Sequence, residues 1–328
     1  AVSTTDLVQS ITMTAALIIV VIFGAIASGG FGAVINSARE LPGYLSMVQT
    51  YAADTASSRP YNALSILSTL AWGLGYFGMP HILLRFMAIE DESKLKLSRR
   101  IASIWVVISM AVAVFIGIVG YNMSMSGIIP VLEGSSSETV IIQIASAMST
   151  HGILPALTAG IILAGILAAT MSTADSQLLA ASSSISQNLV QEFGRKTLSA
   201  RSSLIIARVT VIVISLIAIV LAGNPDSSIF TIVSFAWAGF GAAFGPVVLL
   251  ALFWKRSNRQ GALTGMITGG IMVFVWKYGI SSLGGVFAIY ELLPAFIIAL
   301  LANIIASLLT AEPSGELLRT FDEVNADR

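Results

Sequence analysis

Residues 172–176 read STADS and place Ser172, Thr173, Asp175 and Ser176 within five positions of a stretch otherwise rich in alanine and leucine. Two adjacent hydroxyls, a carboxylate and a third hydroxyl are hard oxygen donors, the ligand type that hard cations prefer. With one negative charge at most, the set suits a monovalent cation better than a divalent one. At about 100° per residue, Gly165, Ala169, Ser172, Thr173, Ser176, Ala180, Ser183 and Gln187 share one helical stripe, and Asp175 flanks it. The carbonyl of Ala169, one turn earlier, adds a further oxygen. A close-packed helix seam explains the glycine and alanines well and the serines adequately, since small residues let backbones approach and hydroxyls bond back to i−4 carbonyls. It leaves Asp175 unexplained. A carboxylate at mid-membrane costs about 2.5–3.5 kcal/mol even on the lenient insertion scale and marks an ion or substrate path. From the pattern alone, a cation site and a packing seam both stand.

A second constellation is AWGLGYFGMPHILLRFM, residues 71–87, with Gly73, Gly75, Gly78 and Pro80 inside one apolar run. In lipid, interrupted backbone survives where it is buried in protein or lines a wet cavity. Discontinuous helices near the midplane are how many secondary transporters build a binding site. Trp72, Tyr76 and Pro80 fall at i, i+4 and i+8, so the two aromatics share a face. The plainer alternative is glycine-mediated packing with Trp and Tyr in an interfacial belt. His81 has no second His or Cys nearby and reads as a hydrogen-bonding residue; Arg85 reads as a snorkelling or paired cation at the inner end of its span.

These residues need membrane-spanning elements to hold them. Of 328 residues, 56% are hydrophobic and 10% charged, against about 25% charged in soluble domains, and the mean hydropathy is +0.89. The chain is that of an integral membrane protein. The absence of cysteine excludes a disulfide framework or a thiolate metal site. Balanced charge offers no basic surface for nucleic acid. A span needs about 20 apolar residues, which gives eight, roughly 12–35, 63–88, 101–122, 152–180, 203–222, 228–254, 261–279 and 285–309. No strand alternation or short repeat competes with an all-α polytopic transmembrane bundle. Lys94, Lys96, Arg99 and Arg100, then Arg195, Lys196 and Arg201, then Lys255, Arg256 and Arg259 load alternate loops. By the positive-inside rule those loops and both chain ends are cytoplasmic. Residues 310–328 form an acidic cytoplasmic tail to a single membrane domain. Trp276 and Tyr290, at span ends, read as belt residues.

The stretches AWGLGYFGMPHILLRFMA, GIILAGILAATMSTADSQLLAASSSI and FAWAGFGAAFGPVVLLALFWKR resemble the sodium/solute symporter family, in the same order along essentially the whole chain. The likeness is strongest to its proline-transporting branch. The resemblance implies thirteen spans around two inverted five-helix repeats, of which this chain corresponds to the last eight. On that correspondence 12–35 is the last helix of repeat one, 63–254 is repeat two and 261–309 holds two peripheral helices. It implies that Trp72, Tyr76 and Pro80 serve the solute site and that Phe235, Trp237 and Phe240 touch solute or an outer gate. For those three residues of SFAWAGFGAAFGPV, packing with a kink at Pro246 explains them at least as well. The resemblance further implies sodium bound by Ala169, Ser172 and Thr173, with Asp175 and Ser176 where some members build a second sodium site. The acid those members add from the preceding helix has no counterpart in residues 12–35.

The resemblance also implies an unwound first core helix upstream that supplies the remaining ligands. The polypeptide beginning at Ala1 is then expected to hold about half of each site. The function implied is sodium-coupled transport of a small solute, L-proline, by alternating access in the cell membrane. Symport of another small organic solute, or a sensor or channel on the same fold, are the alternatives. No filter sequence supports a channel, the tail is too short for a kinase domain, and no nucleophile–base pair, HExxH or phosphate loop supports an enzyme.

Overall fold

The computed structural model describes residues 2–194, 198–223 and 228–326. In chain order, α1 (Val2–Ala27) and α2 (Phe31–Glu40) precede a two-stranded hairpin of β1 (Gln49–Ala52) and β2 (Ser57–Pro60). Helices α3 (Ala63–Gly75) and α4 (Pro80–Met87) follow, then α5 (Leu95–Met125), α6 (Val140–Ser149), α7 (Ile153–Ser183) and α8 (Ala200–Leu221). The chain continues through α9 (Ile229–Phe253), α10 (Arg259–Val275), α11 (Leu292–Leu309) and α12 (Gly315–Ala326). Among the described residues, seven helical segments are long and apolar enough to cross a membrane, and Ala63–Gly78 is a shorter apolar one. Each overlaps one of the eight expected spans. Ile104, Val107, Leu167 and Ile219 are each more than 60% exposed, which suits hydrocarbon as the surrounding solvent. Arg195 and Lys196, and most of the GNPDSS turn, lie outside the described residues.

Several boundaries differ from the sequence expectation. The run 12–35 is not one helix: α1 stops at Ala27, and Gly29 and Gly30 take φ of 87° and 101°. The Gly30 amide donates to the Ala25 carbonyl at 2.7 Å, closing the helix end as a left-handed glycine cap does. The hairpin and the tail helix α12 were not expected at all. Both are short, and neither is long enough to dominate a search made at membrane-span length.

The described residues pack into two compact units. One contains α1, α2 and α5–α8. Its core is Val20, Val34, Ile116, Val119, Met123, Ile144 and Ile162, each no more than 1% exposed. Gly24 lies against Val119 and Met123, and Gly120 against Val140, so a side chain at either would collide.

The other unit contains α3, α4 and α9–α12. Its core is Ala238, Ala242, Val273, Leu292, Ala295 and Phe296. Gly261, Gly265 and Gly269 form a four-residue repeat along α10, all buried. The first two face Asn303 of α11 and the third faces the Ala242 carbonyl of α9. Small residues at this spacing let helices approach closely in lipid. Asn258 closes the start of α10: its Oδ1 accepts from the Gly261 amide at 2.8 Å. Its Nδ2 donates to the Ser307 carbonyl, Thr310 Oγ1 and the Ala311 carbonyl at 3.2, 2.9 and 2.7 Å.

Candidate functional site

The expected interruption in 63–88 is present. Helix α3 begins at Asn62, whose Oδ1 accepts from the Ser65 amide at 2.9 Å. It tightens into a single 3-10 turn at Tyr76–Gly78. Met79 is extended (φ −82°, ψ 112°), as the residue before a proline prefers, and Pro80 occupies the first position of α4. No side chain caps α4. Gly75 and Gly78 face α9 directly: a Cβ on Gly75 would strike the Trp237 indole, and one on Gly78 would strike the Phe240 carbonyl and Gly241. The glycines therefore seat the break against α9.

The aromatics gather at this break. Trp72 stacks on Trp237 at 5.4 Å and 16°, on Phe230 at 5.4 Å and 13°, and on Tyr290 at 6.2 Å and 18°. Tyr76 meets Trp237 edge-on at 4.8 Å. The Trp237 Nε1–H donates to the Trp72 carbonyl at 2.9 Å. Backbone beside an interrupted turn thereby finds a partner inside protein, as a non-aqueous surrounding demands. Trp72 is half-buried, while Tyr76 remains 49% exposed. The arrangement is a wall of flat apolar faces beside an uncapped helix start.

Two residues depart from the expected grouping. Phe235 packs edge-on against Phe274 at 5.2 Å and Tyr278 at 5.7 Å, and it makes no ring contact with the Trp72 stack. Phe240 is 44% exposed and stacks on Phe244. Tyr290 was expected in an interfacial belt; instead it joins the wall. Its hydroxyl donates to the Ser234 carbonyl at 2.6 Å and its amide to Ser68 Oγ at 3.1 Å. Trp276 donates Nε1–H to the Phe287 carbonyl at 3.1 Å. Sequence reasoning missed Tyr290, Ser68 and Ser234 because no local pattern links a span-end tyrosine to a serine 222 positions away.

In the other unit, the small-residue stripe of α7 divides into two parts. Gly165 is buried against Thr12 and Ala16 of α1, which fits a seam. Further along, Ala169, Ser172 and Ser176 are half-buried, and Thr173 and Asp175 are exposed. Seam packing thus covers only the start of the stripe. Thr173 Oγ1 donates to the Ala169 carbonyl at 3.3 Å, and Ser176 Oγ to the Ser172 carbonyl at 3.1 Å. Two oxygens of the expected cation set are adjacent, although each bond is also the ordinary i−4 bond of a helical hydroxyl. Asp175 has no hydrogen-bond or ion-pair partner among the described residues.

Apolar helices with exposed hydrocarbon faces, one of them broken by glycines and proline, define a multi-pass membrane protein. The profile of the sodium:solute symporter family matches residues 1–269. The chain belongs to the sodium:solute symporter family. It is 39% identical to the sodium/proline symporter of Escherichia coli K12, over 99% of this chain and 61% of that protein. The osmoregulated proline transporter OpuE of Bacillus subtilis is 39% identical over 98% of this chain and 61% of its own length. A Staphylococcus aureus sodium/proline symporter is 35% identical over 95% and 59% respectively. The chain spans about three-fifths of the length of these relatives.

Proposed function

We propose that this polypeptide is part of a sodium-coupled symporter for a small solute, L-proline. The observation that carries the proposal is the aromatic wall at the helix break: Trp72, Tyr76 and Trp237 brought together beside the uncapped start of α4. Flat indole and phenol faces suit an apolar ring such as pyrrolidine. At the start of α4, where Pro80 has no N–H and the Ile82 amide donates to the Met79 carbonyl at 3.0 Å, the His81 amide and the helix dipole favour a carboxylate. Pro80 contributes by ending the 3-10 turn and fixing the start of α4. Relatives over nearly the whole chain carry names that include proline, which favours that solute over another small organic one.

On this proposal the Ala169 carbonyl and the hydroxyls of Ser172 and Thr173 are part of the sodium site, with Asp175 and Ser176 beside it. Sodium is a co-transported substrate, and its binding raises solute affinity by a coupling of about 1–3 kcal/mol. The remaining ligands come from helices of the complete protein, arranged in two inverted repeats of which 63–254 is the second. The protein sits in the cell membrane with the loops bearing Lys94–Arg100 and Lys255–Arg259 inside, as the Lys/Arg bias favours.

The test is proline binding by the complete protein with Trp72→Ala and Tyr76→Ala, each checked for normal membrane insertion. Both should weaken affinity, by about tenfold or more for Trp72, which touches three other rings. Unchanged affinity in both variants would move the solute site away from this break.

A further inference from the structure

We propose that Tyr290 is a specificity-determining wall of the solute site, held on Trp72 by Ser68, Ser234 and the neighbouring Glu291–Lys277 pair. The inference rests on the solute-site assignment above and extends it to a residue outside the repeat. Tyr290 lies in the short stretch before α11, yet it is fastened to two other elements at the level of Trp72. Its amide donates to Ser68 Oγ, one turn before Trp72 on α3, at 3.1 Å. Its hydroxyl donates to the Ser234 carbonyl of α9 at 2.6 Å, one turn before Trp237. Its ring lies 18° from parallel with the Trp72 indole at 6.2 Å. A residue tied to both helices that carry the wall fixes the gap between their aromatic faces.

The next residue secures this position. Glu291 is 5% exposed, and its Oε1 lies 3.4 Å from Lys277 Nζ. A carboxylate so buried is disfavoured unless it is paired, so the Lys277 contact holds the backbone at 290–291 in place. Glu291 Oε1 accepts no hydrogen bond, which leaves that ion pair as its compensation. Glu291 and Lys277 are positioning residues acting through Tyr290. Because its ring lies against the Trp72 indole, Tyr290 limits how large a solute the wall accepts.

The experiment compares binding of L-proline and its six-membered homologue pipecolate to the complete protein, with the parent, Tyr290→Ala, Tyr290→Leu, Tyr290→Phe and Trp72→Ala. Removing the ring should weaken proline binding roughly 2- to 10-fold and shift the proline-to-pipecolate affinity ratio toward the larger ring. Tyr290→Phe keeps the ring and should retain most of the parent ratio. Glu291→Gln should shift the ratio in the same direction as Tyr290→Ala, by less. A purely structural role would lower the amount of active protein and leave the ratio unmoved. If Tyr290→Ala does not reach the membrane, Tyr290→Leu decides by the same ratio. An unchanged ratio in the ring-free variant, with Trp72→Ala still weakening binding, overturns this inference alone. Unchanged binding in Trp72→Ala as well would overturn the solute-site assignment with it.

Discussion

Alanine at Gly75 should disrupt the helix break, while alanine at Gly73, two residues away on the same helix, should not. A Cβ on Gly75 would enter the Trp237 indole at Nε1, Cδ1 and Cε2, whereas one on Gly73 meets nothing within 4 Å. Relieving the clash means moving an indole that is stacked on Trp72 and bonded to its carbonyl. Overpacking of this kind costs about 1–3 kcal/mol, and loss of the indole hydrogen bond adds about 0.5–1.5 kcal/mol. The better helix propensity of alanine returns about 1 kcal/mol. The net is about 0.5–3.5 kcal/mol, or roughly 2- to 400-fold in the population of the intact break. Gly73→Ala keeps only the propensity gain and should be neutral or slightly stabilising. The assay is thermal melting of the purified complete protein alongside its proline affinity. Equal effects of the two alanines would refute the packing of Gly75 on Trp237.

Asn258→Ala should cost about 2–4 kcal/mol, from the lost α10 cap and the donor lost to the Ser307 carbonyl and Thr310 Oγ1, while the Ala311 carbonyl keeps Arg256 Nη1. Asn258→Ser should recover the cap alone, and a melt of both variants checks this. Asp322→Asn should change stability by less than about 1 kcal/mol, because the 2.7 Å Lys255–Asp322 pair is 51% and 60% exposed; a larger drop in melting temperature would mean that α12 braces the unit. Single cysteines at Leu97 and Gln260, both exposed, should resist an impermeant thiol reagent added outside intact cells. Labelling there from outside would reverse the orientation.

The break at Gly75–Pro80 was legible because its causes are local. A proline without an N–H and glycines without a Cβ constrain the backbone wherever they sit. Most spans were legible for the same reason, since length and apolarity are read residue by residue. The end of α1 carried a signal too, the consecutive Gly29 and Gly30, but a search at span length runs through it. The Gly261, Gly265 and Gly269 repeat was equally visible, and what it packs against was not. Tyr290 marks the limit. Its partners Ser68 and Ser234 are 222 and 56 residues away, and a tyrosine at a span end has the same local surroundings whether it faces lipid or an indole. Phe235 and Trp237 show the same limit at short range: two residues apart, about 200° round a helix, they turn to different aromatic neighbours.

On the proposed function, Ala169, Ser172 and Thr173 of α7 bind the coupling ion. Alanine at Ser172 or Thr173 removes one oxygen and little volume, and Thr173 is exposed, so a seam would tolerate the change. The deciding measurement is proline uptake against sodium concentration in the complete protein, for Ser172→Ala, Thr173→Ala and the parent. A sodium half-saturation raised about tenfold or more is expected in each variant, the loss of a charge-assisted oxygen ligand being about 1.5–3 kcal/mol, with proline affinity at saturating sodium changed much less. Unchanged sodium half-saturation in both variants would contradict it and return the stripe to helix packing.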